Sequence, residues 1–97
     1  MNNQEQGKLN QEITQSNKAK EILENTLFQE SFEKLKNLYS TSLLNTGSNE
    51  GETREKLWLA YQVLNKVEQH FKEILETGKL ASKQLEDFRS QIKNKKF

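Results

Sequence analysis

Between Thr26 and Leu44 the large apolar side chains fall at Phe28, Phe32, Leu35, Tyr39 and Leu43, in steps of four, three, four and four. A helix completes a turn about every 3.6 residues, so these positions share one face and predict an amphipathic helix. Leu27 and Leu38 sit beside that stripe and widen it. A second stripe runs through Leu57, Ala60, Leu64, Val67, Phe71 and Ile74, alternating threes and fours, and its next step is Gly78. This is the heptad spacing of a helix that packs along another. Between the stripes, NTGSNEGET at residues 45–53 carries two glycines among small, polar and acidic residues, which reads as a loop. A short loop makes consecutive helices antiparallel neighbours. The expected fold is therefore all-α, an antiparallel helical hairpin with Phe28, Phe32, Leu35, Tyr39, Leu57, Leu64, Val67, Phe71 and Ile74 as its core.

The ends of these stripes set the expected boundaries. Asn25 and Thr26 both favour the start of a helix, and Thr26 with Gln29 has capping-box spacing. They predict a short first helix at about 19–24, carrying Ala19, Ile22 and Leu23, and a main one at about 26–44. Asn49 and Glu52 form a similar pair before a helix at about 50–77, where Glu50, Glu52 and Glu55 complement the positive end of the dipole. Gly78 interrupts the seam where a large side chain belongs. It costs about 1 kcal/mol of helix propensity relative to alanine, and it follows Thr77 as a left-handed C-terminal glycine does. The expectation is a break there and a short third helix at about 80–93, whose Ala81, Leu85, Phe88 and Ile92 cover the flank the hairpin leaves bare. Should that helix not fold back, the flank is where a partner binds.

Residues 1–18 hold only two large aliphatics after Met1, Leu9 and Ile13, among many Asn and Gln. So little apolar area does not offset the entropy of ordering the chain, and a disordered polar arm is expected ahead of a helical domain at 19–97. The alternative is an arm that folds on a partner through Leu9 and Ile13, one turn apart.

Composition sharpens this picture in one direction. The chain has 97 residues, of which 32% are hydrophobic, and a mean hydropathy of −0.99. A core drawn from so few apolar side chains is marginal, which favours oligomerisation. The absence of proline suits a mostly helical chain, and the absence of cysteine rules out disulfides and thiolate metal sites. A net charge of +1 gives no global attraction to nucleic acid or to an anionic membrane. No run approaches the length of a membrane span, and no basic-then-apolar secretory pattern opens the chain. The expected location is the cytoplasm.

No residue set carries chemistry. His70 is the only histidine, without a companion at ligand spacing, and reads as a solvated or edge-packed imidazole. Neither a nucleophile triad nor a phosphate-cradling loop with its lysine is present. The chain is expected to be no enzyme, with no cofactor, metal or small-molecule substrate. Trp58 is the most informative single residue, because it lies away from the centre of the Leu57–Leu64–Phe71 stripe. It either covers the end of the hairpin or packs on the third helix or, with Tyr61, anchors a protein contact, since Trp and Tyr dominate interface hot spots. Leu59 and Val63 lie outside the seam on the other side and call for a third helix, a second subunit or both. Arg89, Lys93, Lys95 and Lys96 make a basic end, a candidate nucleic-acid contact or simply cations favoured at a helix C-terminus.

Three segments, AKEILENTLFQESFEKLK, ETREKLWLAYQVLNKVEQHF and ETGKLASKQLED, resemble in order and spacing a group of small helical proteins of tailed bacteriophages, over about residues 19–87. Thr26 departs from the proline that group often carries there, which leaves the helix start in place but blunts the expected break. The resemblance implies a phage origin and a role at the head or in the DNA-packaging machinery, and it supplies no catalytic residue. The expected function is a small phage-type structural or assembly protein working by protein–protein contact, as an oligomer or docked on a larger virion or packaging component. It would act in the host cytoplasm or in the virion. The alternative is a DNA-packaging or regulatory accessory that touches nucleic acid through its basic C-terminus.

Overall fold

The computed structural model describes residues 1–94 as three helices: α1, Asn3–Glu24; α2, Thr26–Leu44; and α3, Gly51–Asn94. Among the described residues there is no strand, so the chain is all-α. Its contacts divide it into two compact units, one of Met1–Ile22 with the segment from Phe71 onward, the other of Leu23–His70. Helix α3 contributes residues to both.

The first unit corrects two expectations at once. Residues 1–18 are not a disordered arm, because all but the first two belong to α1. Nor does the chain break at Gly78, which lies inside the 44-residue α3 with no positive φ; the separate helix at 80–93 is simply the continuation of α3. The two corrections share one cause. Gly78 is buried, and a Cβ built on it would collide with the Cβ and Oγ of Ser16 on α1 and stand 3.1 Å from the Glu12 carbonyl oxygen. The missing side chain lets the two backbones approach closely, which is glycine's other use besides a left-handed turn.

Around this crossing the buried positions are small: Ser16 and Ala19 on α1, Gly78 and Ala81 on α3. The Ser16 hydroxyl donates to the Leu75 carbonyl at 3.1 Å, so the one buried polar side chain among the described residues is satisfied. Farther along, Leu9 packs with Ala81 and Leu85, and Ile13 leans on the cluster. Ser16 meets residues 75–78 while Leu9 meets residues 81–85, so the helices run antiparallel. The partner on which Leu9 and Ile13 fold is thus α3 of their own chain. The stripe of Ala81 and Leu85, expected to cover the hairpin flank, packs on α1 instead.

The second unit follows local rules that were legible. Helix α1 ends at Glu24 and α2 begins at Thr26, with Asn25 the single residue between them. Asn25 has extended backbone (φ −68°, ψ 122°), and its side-chain oxygen accepts from the Phe28 amide at 2.9 Å. The cap is therefore Asn25 alone. The expected box of Thr26 with Gln29 does not form, because Gln29 turns back and donates its side-chain amide to the Leu23 carbonyl at 2.6 Å, satisfying the end of α1. At the other end of α2, Asn45 and Thr46 close the last turn onto the Thr41 and Leu43 carbonyls. Helix α3 starts at Gly51, with the Glu50 carbonyl accepting from the Arg54 amide at 2.9 Å. Glu52, rather than pairing back to Asn49, meets Lys56 at 3.4 Å on the exposed first turns.

The Ser16–Gly78 crossing makes a prediction of definite sign. Alanine in an open helical position would stabilise by up to about 1 kcal/mol over glycine. In Gly78→Ala the new methyl meets Ser16 Cβ, which is fixed to its own backbone and cannot swing aside, so relief requires the helices to part. Overpacking of this kind costs about 1–3 kcal/mol, and the net expectation is a lower midpoint in urea or thermal unfolding followed by circular dichroism. Ser16→Gly should rescue part of the loss, making the double variant more stable than the two single changes sum to. A stabilised Gly78→Ala would show that the helices do not cross closely there.

Candidate protein-contact surface

No side chain between Leu23 and His70 is buried. Phe28 and Phe32 stack with ring centroids 4.5 Å apart, and these two, with Tyr39, Leu57 and Leu64, are half-buried. Leu35 and Val67, also assigned to the hairpin core from their spacing, stand exposed. Phe71 and Ile74 are half-buried and belong to the other unit. The whole buried core of the described residues consists of positions in that other unit, Leu9, Ser16, Ala19, Gly78, Ala81 and Leu85, and none of them was among the core residues expected from the sequence.

Exposed apolar side chains in Leu23–His70 gather in rows. On α3, Leu59 and Val63 are 57% and 58% exposed, and Val67 continues the row one turn further. On α2, Leu35 and Leu38 are exposed one turn apart. The Lys36 ammonium donates to both carboxylate oxygens of Glu68 at 3.0 Å, with each side chain only about a quarter exposed. Partial shielding strengthens such a pair relative to a fully solvated one. On α2, Leu35 and Leu38 turn away from Lys36 by about one and nearly two right angles, as Val67 and Val63 turn away from Glu68 on α3.

Sequence reasoning also passed over Arg54. Its Nε donates to Thr46 Oγ1 at 2.9 Å and its Nη2 to the Gly47 carbonyl at 2.6 Å, tying the first turn of α3 to the loop. The rigid fork of a guanidinium suits this double contact. An arginine soon after a glycine-containing loop, able to reach the loop's carbonyls, was the available signal.

Trp58 is 51% exposed and Tyr61, one turn on, is half-buried. His70 is exposed. Arg89 and Lys93 lie one turn apart on the exposed side of α3, close behind the exposed carboxylates of Glu86 and Asp87, while Lys95 and Lys96 lie outside the described residues. Among the described residues no three His, Cys, Asp or Glu gather to hold a metal ion, and no helix is long and apolar enough to cross a membrane. In the first unit a shallow groove between α1 and α3 is lined by Met1, Lys8, Leu9, Leu80 and Ala81 with a fringe of polar groups. No protein-family model, curated protein or solved structure matches the chain.

The half-exposed indole gives a test of which role Trp58 fills. Trp58→Ala should change the free energy of unfolding by at most about 1 kcal/mol, as surface positions do. In the native wild-type chain, acrylamide should quench the single tryptophan efficiently. A loss of about 3 kcal/mol or more, the scale of a buried aromatic, would place the ring in the core.

Proposed function

We propose that this chain is a small helical binding protein that works by protein–protein contact, of the structural or assembly type its resemblance to tailed-phage proteins implies. In this reading α2 and the start of α3 form an antiparallel hairpin. The Lys36–Glu68 pair closes one flank of it, and Arg54 fastens its loop end. The opposite flank then carries Leu35 and Leu38 from α2 beside Leu59, Val63 and Val67 from α3.

The observation that carries the reading is that Leu23–His70 holds this apolar flank and buries no side chain. Two helices alone cannot enclose a core, and apolar surface left in water is the main driving force for association. An exposed contiguous patch of such residues marks an interaction site. Trp58 and Tyr61 lie on the other side of α3 from Leu59 and Val63 and serve as a secondary contact. Contact with nucleic acid through the C-terminal cations has weaker support, because Glu86 and Asp87 offset Arg89 and Lys93 locally.

Lys56 and Lys66 are exposed beside the Leu59–Val63 row and suit amine-reactive cross-linking. Cross-links from these lysines to a second polypeptide, whether a copy or another protein, should form with the wild-type chain in host extract. They should disappear in Leu59→Glu/Val63→Glu at unchanged helicity. Identical cross-links from both chains would remove the proposal, and DNA binding that weakens steeply with salt would replace it with the nucleic-acid reading.

A further inference from the structure

The break between α1 and α2 turns on one torsion. At Asn25 φ is −68°, already a helical value, and only ψ, at 122°, is extended. Beyond it the Asn25 carbonyl accepts from the Gln29 amide at 3.0 Å, as in a helix interior. Before it α1 runs without interruption to Glu24. A turn of about 160° in ψ would join α1 and α2 into one helix. The sequence leaves that turn open, because position 26 is Thr, and a proline there would hold its predecessor out of helical ψ. The joined helix gives up Asn25's bond to the Phe28 amide and Gln29's to the Leu23 carbonyl, and offers both groups intrahelical partners instead.

The side-chain pattern fits the joined form as well as the broken one. Along an unbroken helix Leu9, Ile13, Ser16, Leu23 and Leu27 make one stripe, with Leu9, Ser16 and Leu23 in steps of seven and Leu27 one turn on. The break cuts that stripe: Leu9 and Ser16 are buried, while Leu27 stands 72% exposed on α2. The half-buried face of α2, with Phe28, Phe32, Tyr39 and Leu43, would lie about 140° around the joined helix from the Leu9–Ser16–Ala19 face. Helix α3 offers a single line, Leu57, Leu64, Phe71, Gly78 and Leu85 in sevens. A straight helix cannot set both faces on it. With α2 kept in its hairpin, joining turns Leu9 and Ser16 away from Gly78.

We infer that Asn25 is a conformational hinge and α1 a strap, docked on α3 when Asn25 is extended and released, joined to α2, when Asn25 turns helical. This rests on the α2–α3 hairpin of the reading above and not on its apolar flank. The Lys36–Glu68 pair and the Arg54 contacts hold α2 and the loop to α3 in both states. Release gives up the burial of Leu9, Ala19, Ala81 and Leu85, two of them only alanines. In exchange it presents the stripe from Leu9 to Leu27 whole.

Spin labels on Gln11→Cys and Lys83→Cys, two exposed positions in a chain without cysteine, report the α1–α3 distance by pulsed electron resonance, diluted in unlabelled chain. A short, docked distance should be accompanied by a longer one. Asn25→Ala removes the cap and favours helix, and should raise the ratio of long to short about tenfold, at equal or higher helicity by circular dichroism. Thr26→Pro holds Asn25 extended and suits the first position of α2, so it should leave the short distance alone. Added to Asn25→Ala, it should restore that distance. A ratio that Asn25→Ala fails to raise, a long distance that Thr26→Pro fails to suppress, or one that appears only with lost helicity would overturn the hinge. Should that happen while the Lys56 and Lys66 cross-links still depend on Leu59 and Val63, the protein-contact reading stands without it.

Discussion

The close passage of Gly78 over Ser16 is the constraint on which the buried part of the molecule depends. Ser16, Ala19, Gly78 and Ala81 bring two backbones together, and only at that distance do Leu9, Ala81 and Leu85 exclude water from one another. The seryl hydroxyl, turned onto the Leu75 carbonyl, keeps the approach free of an unsatisfied polar group. Little apolar mass is involved. What the crossing lacks in side-chain volume it gains in proximity, because dispersion falls off within a fraction of an ångström of contact.

The other unit works by the opposite means. It holds larger side chains, among them Phe28, Phe32, Leu57, Leu64 and Trp58, yet buries none of them fully. Local polar interactions define its ends: Asn25 caps α2, Gln29 finishes α1, and Arg54 grips the loop. One part of the chain thus has a core without bulk, and the other has bulk without a core. The exposed large apolar side chains are therefore concentrated in Leu23–His70.

Periodicity made α2, the loop and the start of α3 legible, because large residues at helical spacing and small polar residues between them leave a clear trace in sequence. The boundary at Asn25 was legible for the same reason, since one side chain's hydrogen bond decides it. Helix α1 was legible only in its last turns, at 19–24, because residues 1–18 offer just Leu9 and Ile13 as large aliphatics, and a small residue such as Ser16 helps to order a chain only where another backbone comes close. Gly78 resembles a helix end for the same reason, since its role depends on Ser16, far away in sequence. Ser16 and Ala19 are spaced by three, as are Gly78 and Ala81, and two such pairs of small residues in separate amphipathic stretches form a readable sign of close helix packing. The exposed row of Leu59 and Val63 was visible as an excess over the seam, but the sequence alone did not show that the stripe after Gly78 was already engaged with α1.

The buried core joins segments from opposite ends of the chain, with Leu9 against Leu85. On a ribosome that makes protein from its N-terminus, α1 emerges long before the surface that will hold it. Contacts so distant in sequence close slowly, because the intervening chain must first be ordered or searched. Through most of synthesis Leu9 and Ile13 are without the cluster they later join, while the apolar row at Leu59–Val67 is already complete. A nascent chain of this protein therefore exposes its apolar row before it possesses its core; in the protein-contact reading proposed above, assembly with another chain can begin while the protein is still being made.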